Sequence, residues 1–298
     1  MDYILKRFEA SINLSKPGQT ERFNFLKARI EYIYYLLLGY TWNKHKNEVR
    51  LSELTSFFDA LDDKLTLGKI INFIKKFDKK NEILTGSTEK ILNDYNEYRK
   101  QNIGHGNTYN SIDAEEKLNG FFRQLCENVD LLNRETDIIV VTDKKEETYD
   151  GYCVSSSSQF PELWNCHESA FGKCIPPCVF YRFKDLPNYY QLSPFIHINR
   201  DLGTNLDFYM FFSSKDMPKG TAKYTDIFKD GKKEFKSPQL EEMIIFGNYR
   251  KISGTGVCMN SFDTNYNKYV DVGVRKTVDD FVRKNKTFVT AVLYRSVL

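Results

Sequence analysis

No hydrophobic run in this chain is long enough to cross a bilayer. The longest, Tyr32 to Leu38, is far short of a span and sits inside an amphipathic pattern. The start, Met1-Asp2-Tyr3-Ile4, lacks the charged and apolar regions of a signal peptide. Six cysteines in 298 residues are too sparse for a disulfide framework and suit reduced thiols. No block of one charge exists either: 43 basic and 40 acidic residues leave a net charge of +3, and residues 1–135 alone hold 21 basic against 20 acidic. That balance excludes a protein coating a duplex with one long basic face, so any nucleic-acid contact must be local. These absences predict a cytoplasmic protein with no membrane partner. Hydrophobic residues at 41% and charged residues at 28% are globular proportions, and the length suffices for two domains with cores of their own.

The apolar rhythm divides the chain in two. In residues 20–42, Phe23, Leu26, Ile30, Ile33 and Leu37 follow a three-four spacing, with Thr20 as the expected N-cap. LSELTSFFDALDDKL and LGKIINFIKKF read as two further amphipathic helices. Another opens at Ser87 and carries Ile91, Tyr95, Tyr98 and Asn102 on one stripe, and a last one runs from Asp113 to Leu132. Five or six helices with short polar loops describe an all-α bundle over residues 1–135. At Thr136 the period shortens: DIIVVT, CVFYRF, SPFIHI, LDFYMFF, KYVDVGV and TFVTAVLY are short, β-branched and aromatic, and KTVDDFVRKNK alone looks helical. Residues 136–298 are therefore expected to form a β-rich α+β domain, and the expected fold class is α+β.

The helix ending near Ile103 finishes oddly, as Arg99-Lys100-Gln101-Asn102-Ile103-Gly104-His105-Gly106. Arg99 and Asn102 are three apart and share a face. His105 continues that line with no side chain on either neighbour, which sets an imidazole near a guanidinium. This chemistry suits metal-independent cleavage of RNA. A histidine near neutrality takes the proton of a ribose 2′-hydroxyl, which attacks the adjacent phosphorus, while an arginine fork holds the phosphate oxygens. One such pair is half of an acid–base set, and a two-fold dimer supplies the other half. A plainer reading stands beside it: the glycines cap the helix, His105 bonds its last carbonyls, and Arg99 is a solvated cation near the helix dipole.

Arg99-x5-His105 at the end of a bundle's penultimate helix resembles the signature of the HEPN superfamily, in which an arginine precedes a histidine by four to six residues. YRKQNIGHGN is similar to the subset reading Arg-Asn-x-x-x-Gly-His-Gly, a helical module joined to a β-rich region in bacterial signalling and defence proteins. The similarity covers roughly residues 20–135; beyond them, QLSPFIHIN, LDFYMFF and the KYTDIFKDGKKEF hairpin are only loosely similar to the partner region. The resemblance implies a homodimeric endoribonuclease that needs no cofactor or metal, with Arg99 and His105 as catalytic residues. It further implies tRNA or another structured RNA as substrate, a regulatory protein or phage-derived trigger at the β-rich region, and a role in antiviral defence or a toxin-like stress response. The position after the arginine is commonly Asn, Asp or His, whereas here it is Lys100; Asn102 is the residue we expect to supply that polar group. The alternative is a non-catalytic dimerisation scaffold whose β-rich region binds a partner or ligand.

Other candidates are weaker. Cys166, His167, Cys174 and Cys178 lack zinc-knuckle spacing, so reduced core cysteines are expected there. Gly254-x-Gly256 lacks the frame of a phosphate loop, and Cys258 has no histidine signature around it. His197 reads as a satisfied strand histidine, and His45 as exposed on a basic turn. The aromatics of residues 206–212 fall on both strand faces, which predicts a buried strand more than a base-stacking platform.

Overall fold

The computed structural model describes residues 2–243 except 47–48, 50, 104–110, 156–159, 187, 201–205, 219, 230 and 242. The fold is α+β. Six helices come first: α1 (Tyr3–Leu14), α2 (Thr20–His45), α3 (Leu51–Asp62), α4 (Leu67–Phe77), α5 (Gly86–Asn102) and α6 (Ile112–Asn128). Then follow β1 (Thr136–Lys145), β2 (Thr148–Ser155), β3 (Glu162–His167), the single turn α7 (Glu168–Phe171), β4 (Cys178–Phe183) and β5 (Tyr189–Gln191). The chain continues through β6 (Ile196–Arg200), β7 (Leu206–Ser213), β8 (Thr221–Asp226) and β9 (Lys232–Lys236). The segments expected as strands at KYVDVGV and TFVTAVLY, the helix at KTVDDFVRKNK, Gly254-x-Gly256 and Cys258 lie outside the described residues. No helix among the described residues is long and apolar enough to cross a membrane.

Helix α2 is the axis of the molecule. Every side chain from Tyr32 to Leu38 is buried, so the one-sided stripe read from its spacing is in fact apolar all round. The reason is its position: α1, α4, α5 and α6 pack around it and β5 covers a further side. Gly39 permits that approach, because a Cβ there would come within 3.1 Å of Leu192 Cδ2. Thr20 is not the cap of this helix but its first residue. Gln19 precedes it and makes no side-chain capping bond. Helices α4, α5 and α6 are capped by hydroxyls, Thr66 accepting from the Lys69 N–H, Thr85 from Thr88 and Ser111 from Ala114, so α5 and α6 each open one residue before the Ser87 and Asp113 read from the sequence.

The strands form two antiparallel sheets, ordered β3-β2-β1-β4-β5 and β6-β7-β8-β9. From Thr136 to Val141, strand β1 is buried on both faces. Ile138 and Val140 join the main core with the helices, while Ile139 and Val141 join a small cluster with Tyr149, Cys178 and Phe180. Phe171 of α7 closes that cluster, its ring centroid 4.5 Å from Phe180 and 5.0 Å from Trp164. The main core runs unbroken from helices to sheets: Tyr40 lies 4.7 Å from Tyr190, Phe8 4.6 Å from Phe228, and Phe57 6.0 Å from Phe195. Of these, Phe8, Phe57 and Phe195 are fully buried, and each contributes about 1.5–3 kcal/mol relative to exposure.

Candidate functional site at the end of helix α5

Helix α5 buries Ile91, Leu92 and Tyr95 and leaves its last turn partly exposed. The Ile103 N–H closes it by donating to the Arg99 carbonyl at 2.9 Å. Arg99 does not extend alone from this end: its Nε donates to Glu31 Oε1 at 2.8 Å, with the two side chains 35% and 15% exposed. Glu31 comes from the middle of α2, so the pair ties the two helices together. Burial works to lower the Arg99 pKa, but the charge of Glu31 and then of Tyr95 outweighs it, and the guanidinium titrates above its ordinary value. Tyr34, Tyr35 and Tyr95 surround the pair. Burial raises each phenol above its ordinary value, and the charge of Glu31 raises it further. The Nε–H is one of five donors on the guanidinium, which carries them in a planar fork.

Asn102 Nδ2 donates to the Tyr98 carbonyl at 2.9 Å, which fastens its amide to its own helix end. Lys100 pairs with Glu97 at 2.6 Å on the exposed side. His105, with Gly104 and Gly106, lies outside the described residues. The structure therefore gathers Arg99 and Asn102 in the last turn of α5 and adds Glu31, which sequence reasoning missed. Its signal was there: a single carboxylate inserted in the run Ile30-Glu31-Tyr32-Ile33-Tyr34-Tyr35, where an acid is retained only with a partner.

The other histidines are engaged elsewhere. His45 is not exposed on a turn; it is buried at the end of α2, its Nε2 3.8 Å from Asp78 Oδ1. The cause is the loop after α4, which Asp78 holds by accepting from the Glu82, Ile83 and Leu84 N–H groups. His197 is buried on β6 against Phe235, 4.3 Å between rings, and burial lowers its pKa to about 4. His167 caps α7, its two ring nitrogens bonded to Ser169 Oγ at 2.8 Å and Glu147 Oε2 at 3.0 Å.

Among the described residues no three His, Cys, Asp or Glu side chains gather as a metal site. Cys178 is fully buried in the small cluster, Cys174 packs against it, and Cys166 donates to the His167 carbonyl. The strand aromatics behave as core: Leu206 to Phe211 are all buried.

A cleft of about 530 Å³ lies on the five-stranded sheet, lined by Asp137, Cys153, Arg182, Lys184 and Tyr189 among others. Arg182 pairs there with the buried Asp137. Burial raises the Cys153 pKa to about 11, so that sulfur is a thiol near neutrality. No protein-family model, curated protein or solved structure matches the chain.

Proposed function

We propose that the end of α5 is half of a metal-independent endoribonuclease site, completed by a second copy of the chain. The observation that carries this reading is the anchoring of Arg99 by Glu31. A guanidinium fixed at one nitrogen, charged at any working pH and only partly covered, is a preorganised clamp for phosphate oxygens. His105 follows six residues later and acts as the base that removes the 2′-hydroxyl proton. Its counterpart from the second copy protonates the leaving 5′-oxygen. The products are a 2′,3′-cyclic phosphate and a 5′-hydroxyl. Asn102, steadied by its bond to the Tyr98 carbonyl, is the polar support beside Arg99. The HEPN resemblance supports the same reading. It also supports tRNA or another structured RNA as substrate, with the sheets regulating the site in antiviral defence or a toxin-like response.

One observation favours a second reading, a non-catalytic dimerisation scaffold. Glu31 neutralises Arg99, and Glu97 neutralises Lys100, so this helix end presents little net positive charge to RNA. Cleavage of total tRNA in the presence of EDTA, by wild type, His105→Ala and Arg99→Ala, separates the two. The nuclease reading expects at least ~100-fold loss in both variants, within the usual range for a lost acid–base group, with the dimer intact by sedimentation. Equal cleavage by all three, or a requirement for metal, would sink it; no cleavage by any of them would favour the scaffold.

A further inference from the structure

One local excess of positive charge falls on the four-stranded sheet. Residues 215–236 hold 7 lysines against 4 acids, a local excess that matches the +3 of the whole protein. Three of these lysines, Lys232, Lys233 and Lys236, stand exposed on β9, an edge strand. Lysines on an edge strand guard it against pairing, and that role requires no aromatic beside them. An aromatic is nevertheless present. Phe212 occupies the irregularity in β7 between Phe211 and Ser213, where one extra residue breaks the register with β8. A bulge of this kind re-aims a side chain, and Phe212 is the only residue of its strand that is not fully buried.

Two ammonium groups from distant parts of the chain converge on that ring. Lys232 Nζ lies 3.8 Å from its centroid, and Lys64 Nζ, from the loop between α3 and α4, lies 5.0 Å away. The loop is held there by the main chain, the Leu65 N–H donating to the Phe212 carbonyl at 3.3 Å and Lys64 bridging to Ser213. Lys215 follows just beyond the strand end and is exposed. Some of the neighbouring charge is cancelled, since Lys223 pairs with Glu234 at 3.6 Å and Lys229 with Asp207 at 3.0 Å. Around Phe212 the cations instead rest on the ring.

We propose that Phe212, with Lys64, Lys215, Lys232 and Lys236, is a binding surface for single-stranded RNA. A base displaces an ammonium group from the ring and stacks in its place, and the displaced lysine turns to the adjacent phosphate. This rests on the reading of the chain as an RNA-cleaving protein and names how it holds its substrate away from the α5 site. The patch is too small for a duplex footprint, consistent with the near-neutral total, and suits a short unpaired stretch or loop.

The test measures binding apart from cleavage. Fluorescence anisotropy with a labelled 2′-O-methyl oligouridylate, which has no 2′-hydroxyl to react, is run on the full chain across a salt series. Lys232→Gln/Lys236→Gln should weaken binding at least ~5-fold and flatten the slope of log K against log salt by about 0.7 per lysine that contacts a phosphate. Phe212→Leu should weaken it roughly 10-fold with the slope unchanged, because stacking releases no counterions. Circular dichroism confirms that the variants fold. Absence of binding by wild type, or variants that bind as wild type does, would overturn the proposal. So would phosphatidylserine vesicles that bind as tightly as the RNA and are lost in the same variants, since the surface would then be a membrane contact. Retained RNA binding with no cleavage of ordinary RNA would strike the α5 reading alone.

Discussion

Positions 29 and 31 lie two residues apart on α2, point to different sides, and solve opposite problems. Glu31 faces α5 and meets the cation Arg99. Arg29 faces α6, where it is buried with Phe122 under its guanidinium at 3.6 Å and Asn119 Oδ1 as the acceptor of Nη2 at 3.0 Å. Burial lowers Arg29 to about 10, still charged near neutrality, whereas the carboxylate beside Arg99 holds that group above its ordinary value. Arg29 is tolerated where desolvation outweighs the more distant charge of Glu9; Arg99 sits directly against its counter-ion. His197 extends the series, being a titratable group walled by Tyr224 and Phe235 that remains neutral because nothing opposes its desolvation.

The comparison can be broken most forcefully at His197. Its folded-state pKa of about 4 lies below the ordinary 6.5, so the unfolded chain binds more protons in that window. Stability should therefore fall as pH drops from 6.5 to 4, by roughly 3 kcal/mol from this group. Urea unfolding at a series of pH values should show His197→Phe losing that part of the decline. An unchanged slope would mean the ring is not what resists protonation.

Next in size is Glu31→Ala, which leaves a half-covered guanidinium unpaired. We expect a loss of about 2 kcal/mol, below the figure for a fully buried pair because Arg99 is partly solvated. In a double-mutant cycle Arg99→Ala should recover part of it. Strict additivity would show the pair to be a surface contact.

The smallest effect should be Arg29→Met. A thioether of similar reach keeps the packing on Phe122 and removes a desolvated charge, so the unfolding free energy from urea melts should stay within about 1 kcal/mol of wild type. A large loss would mean that Arg29, too, depends on a counter-ion.

Sequence reading recovered the features that rest on long apolar periods. The switch from helices to strands falls at Thr136, and LDFYMFF is a strand buried from Leu206 to Phe211. It failed where neighbours from elsewhere in the chain decide the outcome. Helix α1 was not placed, although Asp2 caps it and also accepts from Tyr32 Oη at 2.8 Å, because that partner is distant in sequence. Strand β2 lacked a β-branched run, and its Gly151 is needed because a Cβ there would overlap the Val140 carbonyl. His45 sits between two lysines in the sequence, yet the loop built on Asp78 covers it. At the candidate site Arg99 and Asn102 were legible from helical spacing. Glu31 was not, since an acid 68 residues away announces itself only as an anomaly in an apolar run.

Tyr40 and Gly39 on α2 carry a consequence for how the chain can be divided. Tyr40 rests on Phe183 and Tyr190, and Gly39 is shaped to Leu192. A cut at Arg134 would leave α2, the longest of the described helices, with one flank wet and its aromatic partners on another polypeptide. Helices and sheets should therefore melt together, and a signal that loosened the sheets would be felt along α2, the helix that carries Glu31.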